Sequence, residues 1–177
     1  MEQLTVPTKH DVNEANQAIF GNLEKALGFV PNLYAYFAKN DTALTDYLAL
    51  QNRKSTLKAK EREVINLVVS QINECAYCLS AHTVLGKMNG FTDGEILEIR
   101  RGSASFDLKL DALVKFVSSA VINRSKPSAE SREALFNAGY SEVNMIDIIM
   151  VVGDKLISNL MFGATGFKVD FPLAKEI

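Results

Sequence analysis

The chain has 177 residues, 47% of them hydrophobic, enough to bury a real core as one large domain or two small ones. Its 19 Lys and Arg against 21 Asp and Glu give a formal charge of −2, and no basic stripe interleaved with aromatics is present, so nucleic-acid binding has no electrostatic footprint. The opening "MEQLTVPTKHD" lacks the pattern of an export signal, and the most apolar late stretch, "MIDIIMVVGDKL", carries Asp147, Asp154 and Lys155; a cytoplasmic, non-membrane protein is expected.

Apolar residues recur at helical spacing along nearly the whole chain and sustained alternating runs are missing, so the predicted fold is all-α. A first helix is expected from Asp11 to Leu27, stopped by Gly28; Pro31 suits the first turn of a second, and Asn40 or Asp41 can cap a third. "KAKEREVINLVVSQI", Lys58 to Ile72, places Val64, Leu67, Val68 and Ile72 on one stripe with Lys60, Glu61 and Arg62 largely elsewhere, which predicts one buried face. Asn73 is expected to cap the next helix, running through both cysteines to Asn89 with Gly90 as its stop, and Thr92 with Glu95 forms a capping box for another. Asp107 to Arg124, Ser128 to Asn137 and Ser141 to about Phe162 complete the set.

The organisation expected is a single domain over 1–177: an N-terminal helical extension (1–56), a motif-bearing unit (57–105) and a second helical unit (106–177). A weak internal echo supports the last division, because "GFTDGEILEI" from Gly90 resembles "GYSEVNMIDI" from Gly139, and "LKAKEREVINLVVS" from Leu57 resembles "LKLDALVKFVSS" from Leu108. In a duplication, the second copy kept the packing pattern and lost the cysteines.

The chemistry is concentrated in "NECAYCLSAH", Asn73 to His82, which holds both cysteines and one of the two histidines. Two cysteines three positions apart suit redox or metal chemistry better than a disulfide framework. On one helix Cys75, Cys78 and His82 would fall within roughly 60° of each other. Cβ atoms three apart sit about 5–6 Å from one another, against ~3.8 Å in a relaxed disulfide, so a Cys75–Cys78 bond is strained and easily reduced, the character of a reversible redox pair. The helix start favours a thiolate at Cys75, whereas the four-residue spacing to His82 favours Cys78, and spacing alone leaves open which attacks. Glu63 cannot share that face on one helix, but from an antiparallel preceding helix it can meet His82 and fix the imidazole tautomer.

Glu63, Cys75 twelve positions later, "CAYC", and a histidine four beyond the second cysteine together resemble the core motif of the AhpD-like alkylhydroperoxidases of the carboxymuconolactone decarboxylase superfamily. The segments "LGFVPNLYAYFA" and "KEREVINLVVSQINECAYCLSAH" resemble its peroxidase-related branch, so the likeness spans most of the chain. The resemblance implies an all-helical trimer or hexamer and a thiol peroxidase acting on hydrogen peroxide or organic hydroperoxides without a cofactor. It makes Cys78 the attacking residue, Cys75 the resolving one, and Glu63 and His82 the proton relay, with a dithiol electron donor such as a lipoyl-bearing or thioredoxin-like protein. Tyr77 stands where the best-known members have histidine, so any auxiliary relay there falls to a phenol with a pKa of about 10. Decarboxylase members generally lack the cysteine pair, which argues against lactone decarboxylation.

Other readings stand beside this one. The same dithiol suits a thiol–disulfide oxidoreductase or redox sensor. A non-catalytic metal-holding protein would use Cys75, Cys78 and His82 as three zinc ligands, but the second paired motif of structural zinc sites is missing, so no metal is expected. His10 reads as a surface residue, Arg100 and Arg101 as cations offsetting a helix dipole, and Met145, Met150 and Met161 as core or subunit contacts.

Overall fold

The computed structural model describes residues 4–177, which hold nine α-helices and no strand among the described residues. After a short 3-10 turn at Lys9–Asp11 come α1 (Glu14–Leu27), α2 (Asn32–Phe37), α3 (Ala43–Gln51), α4 (Ala59–Ile72), α5 (Ala76–Met88), α6 (Asp93–Arg100), α7 (Leu108–Ile122), α8 (Ala129–Asn137) and α9 (Glu142–Thr165). The all-α expectation holds, and most boundaries fall within two residues of the sequence reading. The first helix starts later than expected because Asn13 caps it, accepting the Asn16 N–H, while Asp11 closes a separate capping box with Thr8. Asn40 does serve the third helix, its Oδ1 accepting the N–H groups of Thr42 and Ala43.

The largest correction concerns α4. Instead of one buried stripe, every residue from Glu63 to Ser70 is buried, because α5, α6, α7 and α9 surround the helix. A helix covered on all sides must satisfy its polar groups internally, and here Glu63, Asn66 and Ser70 each meet a neighbouring side chain. Ile65, Leu67, Val68 and Val69 join Leu113, Phe116, Val117 and Ile148 in the main core. Each such side chain contributes about 1.5–3 kcal/mol through burial.

A second apolar cluster lies apart from the first, drawing Phe20, Leu33, Phe37, Leu44 and Tyr47 from the N-terminal extension around Cys75, Tyr77, Cys78 and Phe167. The C-terminal segment after α9 closes over it: Asp170 accepts the Asn32 N–H, Ser80 accepts the Ala174 N–H, and the Lys175 carbonyl accepts from Arg100. Arg100 is buried and also donates to Gln71, so it ties the tail to α4 rather than merely offsetting a helix dipole.

The internal echo has a structural counterpart. Gly90 and Gly139 both adopt positive φ, each precedes a buried aromatic ring and a capping box, and Lys60 over Phe91 matches Lys109 over Tyr140 as cation–π pairs at 4.7 and 4.4 Å. Among the described residues no helix is long and apolar enough to cross a membrane.

Asp147 on α9 fixes the connection between α3 and α4. It accepts the Thr56 N–H at 2.6 Å, the Thr56 hydroxyl at 2.7 Å and an Arg53 guanidinium N–H at 2.6 Å. The Thr56 backbone, followed by its hydroxyl and Arg53, holds the Asp147 carboxyl well below the usual carboxylate range against the opposing effect of burial. A depressed carboxyl stabilises the fold above its unfolded pKa of about 3.9, and that contribution is lost as pH falls towards the folded value. Asp147→Ala is therefore expected to cost about 2–3 kcal/mol in urea unfolding at pH 7, with the gap to wild type narrowing below about pH 4. A difference under about 0.5 kcal/mol would show that the connection is held elsewhere.

Candidate active site

The turn between α4 and α5 sets the site. Asn73 ends α4 instead of capping α5; Glu74 then takes φ 53°, a left-handed conformation uncommon for a residue with a side chain, and Cys75 becomes the N-cap. The Cys75 N–H reaches back to the Ser70 carbonyl at 2.9 Å, and its sulfur accepts the Cys78 N–H at 3.3 Å, as a serine or aspartate would at a helix start. Cys75 is thus not on the helical face shared by Cys78 and His82. The reversal at Glu74 is what the sequence reading missed.

This placement also changes the electrostatic argument. Cys75 donates its thiol hydrogen to Cys78, and that bond, assisted by the Lys155 ammonium, His82 and Asn159 against the cost of burial, draws the Cys78 pKa down to about 6. The same bond, reinforced by burial, pushes the Cys75 thiol up. The stable arrangement is a Cys78 thiolate held by a Cys75 thiol. The helix start therefore serves Cys78 through its neighbour, reversing the expectation that it favours a thiolate at Cys75.

Antiparallel packing of α4 on α5 brings Glu63 to His82, with Oε2 and Nδ1 2.8 Å apart and both side chains about 10% exposed. Burial opposes ionisation of Glu63, but His82, Lys155 and a hydrogen bond from Asn66 outweigh it and hold the carboxyl below its usual value. An ionised Glu63 accepts the Nδ1 hydrogen and fixes the tautomer that leaves Nε2 as a base. Ser158 Oγ lies 3.9 Å from the Cys78 sulfur.

Cys78 and His82 open onto a cavity of about 200 Å³. Its walls are mostly apolar: Leu27, Pro31, Leu33 and Tyr34 from the N-terminal extension, Tyr77, Ala81 and Leu85 from α5, and Phe171 from the tail. Tyr77 is wedged edge-on among Phe167 and Phe171, its hydroxyl accepts the Leu33 N–H, and burial pushes its acidity still weaker, so it acts as a wall and a tie to α2. Tyr34 donates to Gln51, which in turn donates to Tyr47 and Asp154. Lys155, Ser158, Tyr34 and Gln51 escaped the sequence reading because they lie far from the motif. The one available clue was Lys155, a cation in the middle of the most apolar helix. His10 is exposed and lines neither hollow at the site, and Met145 and Met161 pack on the two cores.

Comparison with known proteins fits this geometry. Residues 37–116, which include Glu63, both cysteines and His82, match the carboxymuconolactone decarboxylase family. Over that segment the chain carries the carboxymuconolactone decarboxylase family pattern, and its fold is AhpD-like. The whole chain is similar to a peroxidase-related protein from Silicibacter, at 26% identity over 94% of this chain and 90% of that one, with a TM-score of 0.82. An AhpD-core, peroxidase-related protein from Ralstonia eutropha shares the fold at 19% identity, covering 96% and 94% of the two chains with a TM-score of 0.85. So does the debrominase Bmp8, solved with 2,3,4-tribromopyrrole, at 16% identity, 96% and 92% coverage and a TM-score of 0.79. No curated protein matches the sequence significantly.

The electrostatics of the pair can be read directly. Alkylation of the reduced protein by iodoacetamide is expected to modify Cys78 with a half-maximal rate near pH 6, while Cys75 stays unreactive through neutral pH. Preferential labelling of Cys75, or a midpoint near the unperturbed ~8.5, would contradict the assignment of the thiolate.

Proposed function

We propose that the protein is a cytoplasmic thiol peroxidase that reduces hydrogen peroxide or small organic hydroperoxides at Cys78. The observation that carries this reading is the placement of Cys78, with the Cys75 sulfur on its backbone N–H, at an apolar cavity of about 200 Å³; surroundings that favour its thiolate support it. Cys78 and Cys75 are only 2% and 3% exposed, which suits a small oxidant better than a folded protein disulfide. In the proposed cycle the thiolate attacks one peroxide oxygen, the O–O bond breaks, and Cys78 becomes a sulfenic acid as the other oxygen leaves and is protonated. The Cys75 sulfur then displaces water from that sulfenic acid to form the disulfide, and a dithiol donor slender enough to enter, such as a dihydrolipoyl arm, returns both cysteines to the reduced state. His82 takes the Cys78 proton, and Glu63 orients the imidazole and stabilises its charged form.

The test compares cysteine variants in single-turnover oxidation. Cys78→Ser is expected to consume no peroxide, whereas Cys75→Ser reacts once and stops at a sulfenic acid that a dimedone probe traps. His82→Ala is expected to slow the reaction by about 100-fold at neutral pH with partial rescue at high pH, and Glu63→Gln to follow it more mildly. Peroxide consumption surviving in Cys78→Ser would overturn the assignment. Bromide release from a bromopyrrole without peroxide turnover would move the reading towards the chemistry of the Bmp8 neighbour.

The proposal includes a homo-oligomer. On α9, Val143, Ile146, Ile149, Ile157 and Leu160 are all more than 40% exposed and lie along one side, an apolar stripe that a second copy would cover. Light scattering is expected to return a trimer or hexamer of the 19.5 kDa chain; a monomer at micromolar concentration would refute this.

A further inference from the structure

Lys155 is the charged group lining the cavity to which the proposed cycle gives no step of its own. It sits on α9, is 2% exposed, and faces both the cavity above Cys78 and a second hollow of about 350 Å³ on the far side of His82. Among the described residues its ammonium forms no ion pair and no hydrogen bond. The nearby anions are already engaged: Glu63 binds His82 and Asn66, and Asp154 accepts from Gln51. A mostly buried ammonium with no hydrogen-bonding partner is costly, and beyond the Cys78 thiolate that its charge favours, it is suited to a second negative charge that appears during function. In this cavity the charge that appears is on the oxygen expelled when Cys78 attacks a peroxide.

We propose that Lys155 receives the leaving oxygen of the peroxide, binding it through the Nζ hydrogens and giving it a proton. This assignment rests on the peroxidase reading. Cys78 forms the S–O bond with one oxygen as the O–O bond breaks; the electron pair stays on the other oxygen, which takes a proton from Nζ and departs as water or an alcohol. The neutral amine regains its proton from solvent through the second hollow. A fixed donor aimed at an oxygen that becomes anionic only in the transition state lowers the barrier most in an apolar, water-poor site, where the attraction is weakly screened. Lys155 and Cys78 line one chamber of about 200 Å³, small enough for one bound peroxide to be offered to both.

A competing role for Lys155 is only to hold Cys78 as a thiolate, since its charge also favours that form. The two roles differ in their dependence on the leaving group. Single-turnover oxidation of Lys155→Met and Lys155→Gln is compared with wild type, using tert-butyl hydroperoxide, which expels a strongly basic alkoxide, and peracetic acid at a pH where it is neutral, which expels the weakly basic acetate. The Cys78 thiolate fraction of each protein is measured separately by iodoacetamide alkylation. The expected result, after correction for thiolate fraction, is a loss of about 100-fold or more with tert-butyl hydroperoxide and little change with peracetic acid. Equal losses with both peroxides, or no loss with either, would overturn the assignment while leaving the peroxidase reading intact. A wild-type protein inert to both peroxides would overturn the two together. Lys155→Gln is one atom shorter and keeps only a neutral donor that cannot supply the proton, so it carries the same test if the methionine variant does not fold.

Discussion

The buried contact between Glu63 and His82 is the constraint around which the site is arranged. A carboxylate on an all-buried helix is tolerable only with a hydrogen-bonded, charge-compatible partner, and His82 supplies it at 2.8 Å. For the two to meet, α5 must run back along α4, and the chain must reverse within Asn73 and Glu74. That reversal leaves Cys75 at the start of α5 with its sulfur on the Cys78 N–H. The acid–base pair and the asymmetry between the thiols are therefore consequences of one turn.

The second apolar cluster explains why the N-terminal extension and the C-terminal tail belong to the site. The motif helices alone would leave Cys78 open on one side. Leu33, Tyr34 and Pro31 from the extension and Phe171 from the tail close that side with apolar walls, and Asp170 and Asn32 fasten the two segments to each other. Excluding water matters physically, because each charge effect on Cys78, from the Cys75 bond to Lys155, weakens in high dielectric. The extension thus strengthens the charge effects on a residue tens of positions away in the chain, although the burial it supplies opposes the thiolate.

Much of this was legible in the sequence. Helical periodicity gave the all-α class, and turn chemistry at Gly28, Gly90, Thr92, Ser128 and Ser141 located helix ends within a few residues. The pairing of Glu63 with His82 followed from antiparallel packing of successive helices. Two features did not follow. Cys75 was read into the helix because Asn73 is the better intrinsic cap, but tertiary packing placed the reversal at Glu74, a residue with no special propensity for positive φ. Lys155 and Gln51 act across distances of tens of residues, and periodicity reports only which face a residue occupies, never which remote side chain it meets.

The central claim is that Cys78 and Cys75 form one redox unit in which a single peroxide converts two thiols to one disulfide. Intact-mass measurement of the reduced wild-type protein after one equivalent of hydrogen peroxide, followed by peptide mapping, addresses it directly. The expected result is loss of two hydrogens per chain with the Cys75 and Cys78 peptides linked, fully reversed by dihydrolipoamide. Gain of oxygen at Cys78 with Cys75 still a free thiol, or a disulfide joining two chains, would contradict it.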